Sequence, residues 1–370
     1  MAKTTNALES KKIVRPSELK IIVKHCLLNN FPILVRGKLG SGKTQICREA
    51  AIEAGFKPNN IIIEAPHMKD VPDYTGFAFV FDDLEAKKKR ADFLPINTLE
   101  KMLNATEPTV FIIDELDKAK LTMNAIAQII WQREISNRKI PDCVRFIATC
   151  NLAEEQTGSS VIKPHLLDRF YSVVELKQNV EDWVHYMLKN WGVNALVLTS
   201  FINFRPQYLL EGQNTELALS LEKTPTGRSL ENYLKMYLTI ASSSDLEEQK
   251  ALERLLAGAV GDEFHIEFKA FCELYKSDLP NFEEITSDPH NAMIPTGDRQ
   301  INMRHAIIGM ISGRVNEKTC NSVTEYLLRK EWNSFATLRR VFVEQVKILH
   351  PELLKSPVFI RNVVDLINAS

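Results

Sequence analysis

Apolar residues along this chain follow two patterns, and the pattern changes near residue 178. Before that point, short runs dominated by apolar residues recur at 31–35, 60–64, 108–113, 144–150 and 171–176. Runs of this length, rich in Ile, Val and Phe, predict strands buried on both faces of a parallel sheet. Between them the spacing is helical. Pro16-Ser17-Glu18 opens a helix predicted to run to about Asn29, with Leu19, Ile22, Val23, Cys26 and Leu27 on one face. Further helices are predicted at 43–54, 96–104 and 122–132. After 178 no strand is predicted. Helical spacing continues at 181–190, 195–204, 224–240, 246–257, 262–275, 301–311, 320–328, 334–350 and 357–367. Residues 1–15 read as a loose tail.

One segment breaks the alternation of strand and helix. Asp70-Val71-Pro72-Asp73-Tyr74-Thr75-Gly76 leads into Phe77-Ala78-Phe79-Val80-Phe81, then Asp82 to Glu85, then Ala86-Lys87-Lys88-Lys89-Arg90. The period of two in Phe77, Phe79 and Phe81 predicts a strand, and the acidic break suits a hairpin tip. Two readings stand at this stage. The aromatics pack on the core and the basic run is a solvated face, or the hairpin exposes its aromatics to a substrate.

Chemistry enters where apolar runs end. The run at 31–35 leads into Gly37-Lys38-Leu39-Gly40-Ser41-Gly42-Lys43-Thr44 and a helix, which fits the P-loop pattern. Its glycines let backbone N–H groups turn toward phosphate oxygens, and the helix start adds a positive dipole end. Lys43 is placed to reach β- and γ-phosphates, and the Thr44 hydroxyl to ligate Mg²⁺. The run at 108–113 ends in Asp114-Glu115, a Walker B pattern. There Asp114 can hold Mg²⁺ and Glu115 can polarise an attacking water. The run at 144–150 ends in Asn151, either an orienting amide for that water or a residue that starts a turn. Arg169 follows Asp168, so it is either a surface ion-pair partner or a finger for a neighbouring subunit's phosphate. Arg228 sits in a first helical turn, where acids are favoured. It is either placed there to meet phosphate or a tolerated surface arginine.

Composition narrows the class further. The chain has 370 residues, 45% hydrophobic and 25% charged, with a formal net charge of −1. These are the proportions of a globular protein with two or three domains, and the charge balance argues against a generic nucleic-acid binder. No apolar run is long enough to cross a bilayer, and residues 1–12 lack the apolar core of a signal peptide, so the expected location is the cytoplasm. Six cysteines without a C-x-x-C pair indicate neither a zinc site nor a disulfide frame. Cys47, Cys143 and Cys150 fall in apolar predicted elements and are expected to be reduced core residues. No histidine shows metal-ligand spacing.

Taken in order, the P-loop, Asp114-Glu115, Asn151, Leu166-Leu167-Asp168-Arg169-Phe170 and Gly227-Arg228 resemble the AAA+ ATPases. The match is closest to the MoxR-like, dynein-related (AAA_5) branch. Asp70, Asp73 and Gly76 resemble that branch's D-x-x-D-x-x-G segment, and Phe93-Leu94-Pro95 its pre-helix turn. The resemblance covers roughly residues 31–240. It implies an α/β P-loop NTPase core of five parallel strands, in the order 5-1-4-3-2, at 31–178. A tail and helix at 1–30 would precede it, and a helical lid at 179–242 and a helical C-terminal extension at 243–370 would follow. It implies ATP and Mg²⁺ as cofactors, held by residues 37–44 and Asp114, with Glu115 catalytic. Asn151 would be sensor 1, Arg169 the arginine finger and Arg228 sensor 2. Relatives form homo-oligomeric rings, commonly hexamers, and remodel or assemble protein clients, often beside a von Willebrand factor A domain protein. The hairpin at 77–93 would face the ring's pore or rim. Two departures stand out. Lys38-Leu39 replaces a frequent Pro-Pro, and Gly227 precedes Arg228 where many relatives have Pro. The alternatives are a nucleic-acid-associated motor, which the basic residues 87–90 keep open, and a nucleotide-gated scaffold with little turnover.

Overall fold

The computed structural model describes residues 12–83, 88–95, 97–152, 162–211, 223–241, 246–277, 279–297 and 299–370. The chain divides into two compact units, Met1–Gln178 and Asn179–Ser370.

The first unit is α/β. Its elements are β1 (Ile13–Val14), α1 (Pro16–Leu28), β2 (Ile33–Gly37), α2 (Lys43–Glu53), β3 (Ile61–Glu64), α3 (Val71–Thr75), β4 (Phe77–Asp83), β5 (Lys88–Leu94), α4 (Asn97–Leu103), β6 (Thr109–Ile113), α5 (Met123–Gln132), β7 (Glu134–Ile135), β8 (Arg138–Lys139), β9 (Val144–Cys150), α6 (Pro164–Leu167) and β10 (Ser172–Leu176). The main sheet runs β1-β10-β2-β9-β6-β3, with every pair parallel. Five of these strands take the expected order 5-1-4-3-2. The sheet has six strands rather than five, because Ile13–Val14, expected within a loose tail, pairs with Glu175 and Leu176 of β10.

The strands read as continuous apolar runs because both faces are covered. Ile33, Val35, Val110, Ile112 and Ile147 join a core with Leu19, Val23 and Leu27 of α1 and Cys47, Ala50 and Ala51 of α2. Their neighbours in sequence, Leu34, Phe111, Ile113, Phe146 and Ala148, join a second core with Leu99 of α4 and Ile126 and Ile130 of α5. Successive side chains on a strand point to opposite faces, so each run feeds both cores. Cys47 and Cys150 are buried free thiols, and burial pushes each up to about 12, as expected of reduced core residues.

The segment before the hairpin is built by its acids. Asp70 caps α3 and Asp73 answers it, accepting from the Asp70 backbone N–H at 2.9 Å. Gly76 ends α3 at φ 86°, and a Cβ there would lie 3.0 Å from the Leu94 carbonyl oxygen. β4 and β5 pair antiparallel from Phe77↔Leu94 to Asp83↔Lys88. Residues 84–87 of the expected tip and basic run lie outside the described residues. Phe77, Phe79, Phe81 and Phe93 are exposed, and Phe79 stacks on Phe81 at 5.5 Å. Packing of these aromatics into the core is therefore overturned: their rings are exposed among the described residues.

The second unit is helical in all its described elements, from Val180–Trp191 to Pro357–Asn368. One core groups Trp183, Phe201, Tyr233, Phe264 and Phe268, and another groups Ile307, Ile311, Tyr326, Trp332 and Phe342. Among the described residues no helix is long and apolar enough to cross a membrane.

Candidate functional site

Three neighbouring strands, β2, β9 and β6, end side by side, and the polar residues that follow them meet there. β2 ends at Gly37. A Cβ at that position would sit 2.9 Å from the Leu176 carbonyl oxygen, so only glycine allows the approach to β10. The loop turns through Gly40 (φ 71°) and Gly42 (φ 84°), which precedes the first turn of α2. Ser41 is buried, and its carbonyl accepts from Gln178 Nε2 at 3.0 Å. Lys38 and Leu39, which replace Pro-Pro, are half-buried in the same turn.

Lys43 is buried, and its ammonium donates to the carbonyls of Gly37 (2.8 Å) and Lys38 (2.9 Å) and to Asn151 Oδ1 (3.1 Å). The Thr44 hydroxyl donates to Asp114 Oδ1 at 2.7 Å. Thr149 Oγ1 donates to the same oxygen. Glu115 follows Asp114 with φ 55°, a left-handed turn that swings its side chain out of the strand direction. Its backbone N–H donates to Thr149 Oγ1 at 3.3 Å. Its carboxylate is shared between Lys118 (2.8 Å) and His67 (3.6 Å). Asp117, on the next turn, accepts from Asn151.

Lys43, Thr44, Asp114, Glu115 and Asn151 thus meet in one site made of two hydrogen-bonded groups, Lys43–Asn151–Asp117 and Thr44–Asp114–Thr149–Glu115, with Gly37 to Gly42 as its rim. Arg169 and Arg228 are not part of it. β10 runs parallel to β2 with Ser172 opposite Ile33 and Leu176 opposite Gly37. Tyr171 donates its N–H to the Pro32 carbonyl at 2.8 Å. Arg169, three residues before β10, therefore sits toward the end of the strand pair opposite the P-loop. Its guanidinium lies 4.4 Å over the Trp131 ring, beside a cavity of about 350 Å³ lined also by Asn124, Gln128 and His165. Arg228 is exposed in the first turn of the helix Gly227–Ala241 of the second unit. Thr226 and Ser229 close that helix start by bonding each other's backbone N–H groups at 3.2 and 2.7 Å.

The sequence reading passed over Thr149, Asp117, Lys118 and His67. Thr149 was findable, because it lies two residues before Asn151 on one strand and so shares its face. Lys118 was findable three residues after Glu115, but His67 comes from a distant segment.

The donor set suits a hard cation. One hydroxyl and one carboxylate 2.7 Å apart match the one or two protein oxygens that Mg²⁺ takes when phosphates and waters supply the rest. No cluster of three or more His, Cys, Asp or Glu able to hold a metal occurs among the described residues. Chemically, the site offers a glycine-rich turn with a buried ammonium, a hydroxyl–carboxylate pair, and a second carboxylate held by Lys118 and His67.

No family model matches this chain, and no curated protein matches it. Among solved structures it is similar to PCH-2 from C. elegans, at 15% identity over 66% of this chain and 67% of that one, with a TM-score of 0.33. It is similar to a variant of RuvB from Thermotoga maritima, at 12% identity over 74% and 79%, TM-score 0.36. A third is the replication initiator DnaA bound to AMPPCP and single-stranded DNA, at 16% identity over 95% and 93%, TM-score 0.32. At such scores the class rests on the chain's own sheet order and loop geometry, which define an α/β P-loop NTPase fold.

Proposed function

We propose that this chain is an ATP-hydrolysing AAA+ protein of the MoxR type, working as a homo-oligomeric ring on a protein partner. The observation that carries the reading is the contact of Thr44 with Asp114 beside the Lys43–Asn151 bond. It joins the P-loop to two other strand ends in the arrangement a triphosphate and its cation require.

In this reading the P-loop amides and Lys43 bind the β- and γ-phosphates, and Lys43 exchanges its own loop carbonyls for phosphate oxygens. Mg²⁺, held by Thr44 and Asp114, would supply charge neutralisation on those oxygens. Glu115 leaves Lys118 or His67 and accepts a proton from the attacking water. The water oxygen bonds to the γ-phosphorus, the bond to the β–γ bridging oxygen breaks, and ADP leaves with the electron pair. Arg169, on the far end of the strand pair from its own P-loop, is offered to the P-loop of a neighbouring subunit, where it stabilises the charge of the transferring phosphoryl group. Arg228 takes its role as nucleotide sensor from the resemblance alone. The exposed aromatics of β4 support a protein client, and a von Willebrand factor A domain partner follows from the resemblance.

Glu115→Gln is expected to cut turnover by roughly 100-fold or more while ATP still binds. Equal turnover in wild type and variant overturns the catalytic assignment. The same variant, held in ATP, is the form from which to capture the client. A second reading has one observation in its favour, the exposed Lys88, Lys89 and Arg90 on the strand paired with the one that carries the Phe79–Phe81 stack. Stimulation of ATPase by single- or double-stranded DNA would favour a nucleic-acid motor over a protein remodeller.

A further inference from the structure

We propose that Asp117 is a positioning residue for hydrolysis. It fixes the side-chain amide of Asn151 so that the oxygen, and not the nitrogen, faces the Lys43 end of the site. The inference rests on the hydrolysis reading above but is carried by its own geometry.

Asp117 is only 2% exposed. The left-handed turn at Glu115, followed by the 3₁₀ turn Leu116–Lys118, brings it back to the end of β9. There its two oxygens grip one residue. Asp117 Oδ1 accepts from the Asn151 backbone N–H at 3.1 Å, and Oδ2 accepts from Asn151 Nδ2 at 3.4 Å. On the other side Lys43 Nζ donates to Asn151 Oδ1 at 3.1 Å.

An amide's oxygen and nitrogen are told apart by their partners. An ammonium only donates, and a carboxylate only accepts. The two ends of Asn151 are therefore assigned independently, and the assignments agree. Once phosphate takes Lys43, the oxygen of Asn151 still faces the same way, because Asp117 still holds the nitrogen. An acceptor there repels a phosphate oxygen and attracts an O–H group. Its fitting partner is the attacking water, which then meets two acceptors, Asn151 and Glu115. With both protons engaged, its lone pair is left for phosphorus. Without Asp117 the amide can turn over, and its N–H₂ would then bind a phosphate oxygen and leave the water unheld.

The test is a double-mutant cycle on the full chain, with Asp117→Asn, Asn151→Ala and the pair. Asp117→Asn keeps the shape and loses the second acceptor. It is expected to lower kcat on the order of 10–100-fold through misplacement of the nucleophile. Affinity for a fluorescent ATP analogue should hold or tighten, as an amide turned toward phosphate requires, and the substitution should add nothing in the Asn151→Ala background. Effects that multiply, or a change in KM alone, overturn the proposal. If Asp117→Asn fails to fold, Asp117→Ser keeps an acceptor for the backbone N–H and serves in its place. A readout independent of turnover is the Asn151 side-chain NH₂ signal in a chain ¹⁵N-labelled at asparagine, assigned by its loss in Asn151→Ala. It should be protected from solvent exchange in wild type and lose that protection in Asp117→Asn. An unmoved signal sinks the proposal whether or not the chain turns over ATP. A signal that moves as expected in a chain with no ATPase activity leaves the amide assignment standing and overturns the hydrolysis reading instead.

Discussion

The two units bury polar side chains in opposite ways. In the α/β unit Ser41, Lys43, Asp117, Thr149 and Asn151 are buried together at one end of the sheet, and most of them bond to one another. In the helical unit the buried polar groups are scattered, and backbone carbonyls satisfy the largest of them. Arg304 donates to the carbonyls of Glu331 (2.5 Å) and Pro295 (3.1 Å), with its guanidinium over the rings of Trp332 and Phe335. Arg339 donates to the carbonyls of Leu327 (2.9 Å) and Ala369, and to Asn333 Oδ1 (2.9 Å). A buried cation tied to carbonyls joins loops to helices. A buried cation whose partners sit on a glycine loop can trade them for a ligand. Burial and charge alone do not mark a site; the partners do.

Four substitutions test this contrast, and the largest effect belongs to Lys43. Lys43→Ala removes charge-assisted hydrogen bonds worth about 1.5–3 kcal/mol each, so nucleotide affinity should fall by at least tenfold. Titration of a fluorescent ATP analogue measures it, and unchanged affinity would break the comparison. Arg339→Leu leaves the buried Leu327 carbonyl without its donor, at about 1–3 kcal/mol, and removes the ties to Ala369 and Asn333. Unfolding followed by tryptophan fluorescence should show the loss, because Trp183, Trp191 and Trp332 lie in this unit. Nucleotide affinity should not change.

A smaller effect is expected at His305, which packs near Phe204 and whose pKa burial lowers from 6.5 to about 4. The folded state therefore holds the ring neutral. Between pH 6.5 and 4 the unfolded chain binds the extra proton, so stability falls as pH drops through that window and rises again with pH. His305→Phe should flatten this part of the melting-temperature profile, and an unaltered acid limb would refute the assignment. The smallest effect is expected at Phe81→Ala. Its exposed ring contributes little to the fold, so stability should shift by less than about 0.5 kcal/mol. Basal ATPase should hold, and any loss should appear only when the client is present.

Much of the α/β unit was legible because its signals are local. The P-loop, Asp114-Glu115 and Asn151 each stand at the end of an apolar run, and the runs themselves gave the sheet. Ile13–Val14 was not legible. Two residues carry no periodicity, and their strand character comes only from β10 beside them. The aromatic period of β4 announced a strand but not what lay over it, since alternation fixes which residues share a face and says nothing of the neighbour. Trp131 beneath Arg169 was invisible for the same reason. The two meet from elements far apart in sequence, and cation–π partners have no spacing rule.

The pairing of β2 with β10 has a genetic consequence. Each copy carries its phosphate loop at one end of these strands and Arg169 at the other, so under the ring reading no copy completes its own site. Under that reading a copy that has lost Arg169 still binds ATP but disables its neighbour, so such an allele should be dominant. A copy that has lost Lys43 still lends its arginine. Two inactive proteins, Lys43→Ala and Arg169→Ala, should therefore regain activity on mixing. Each mixed boundary of the right polarity reunites an intact loop with an intact arginine.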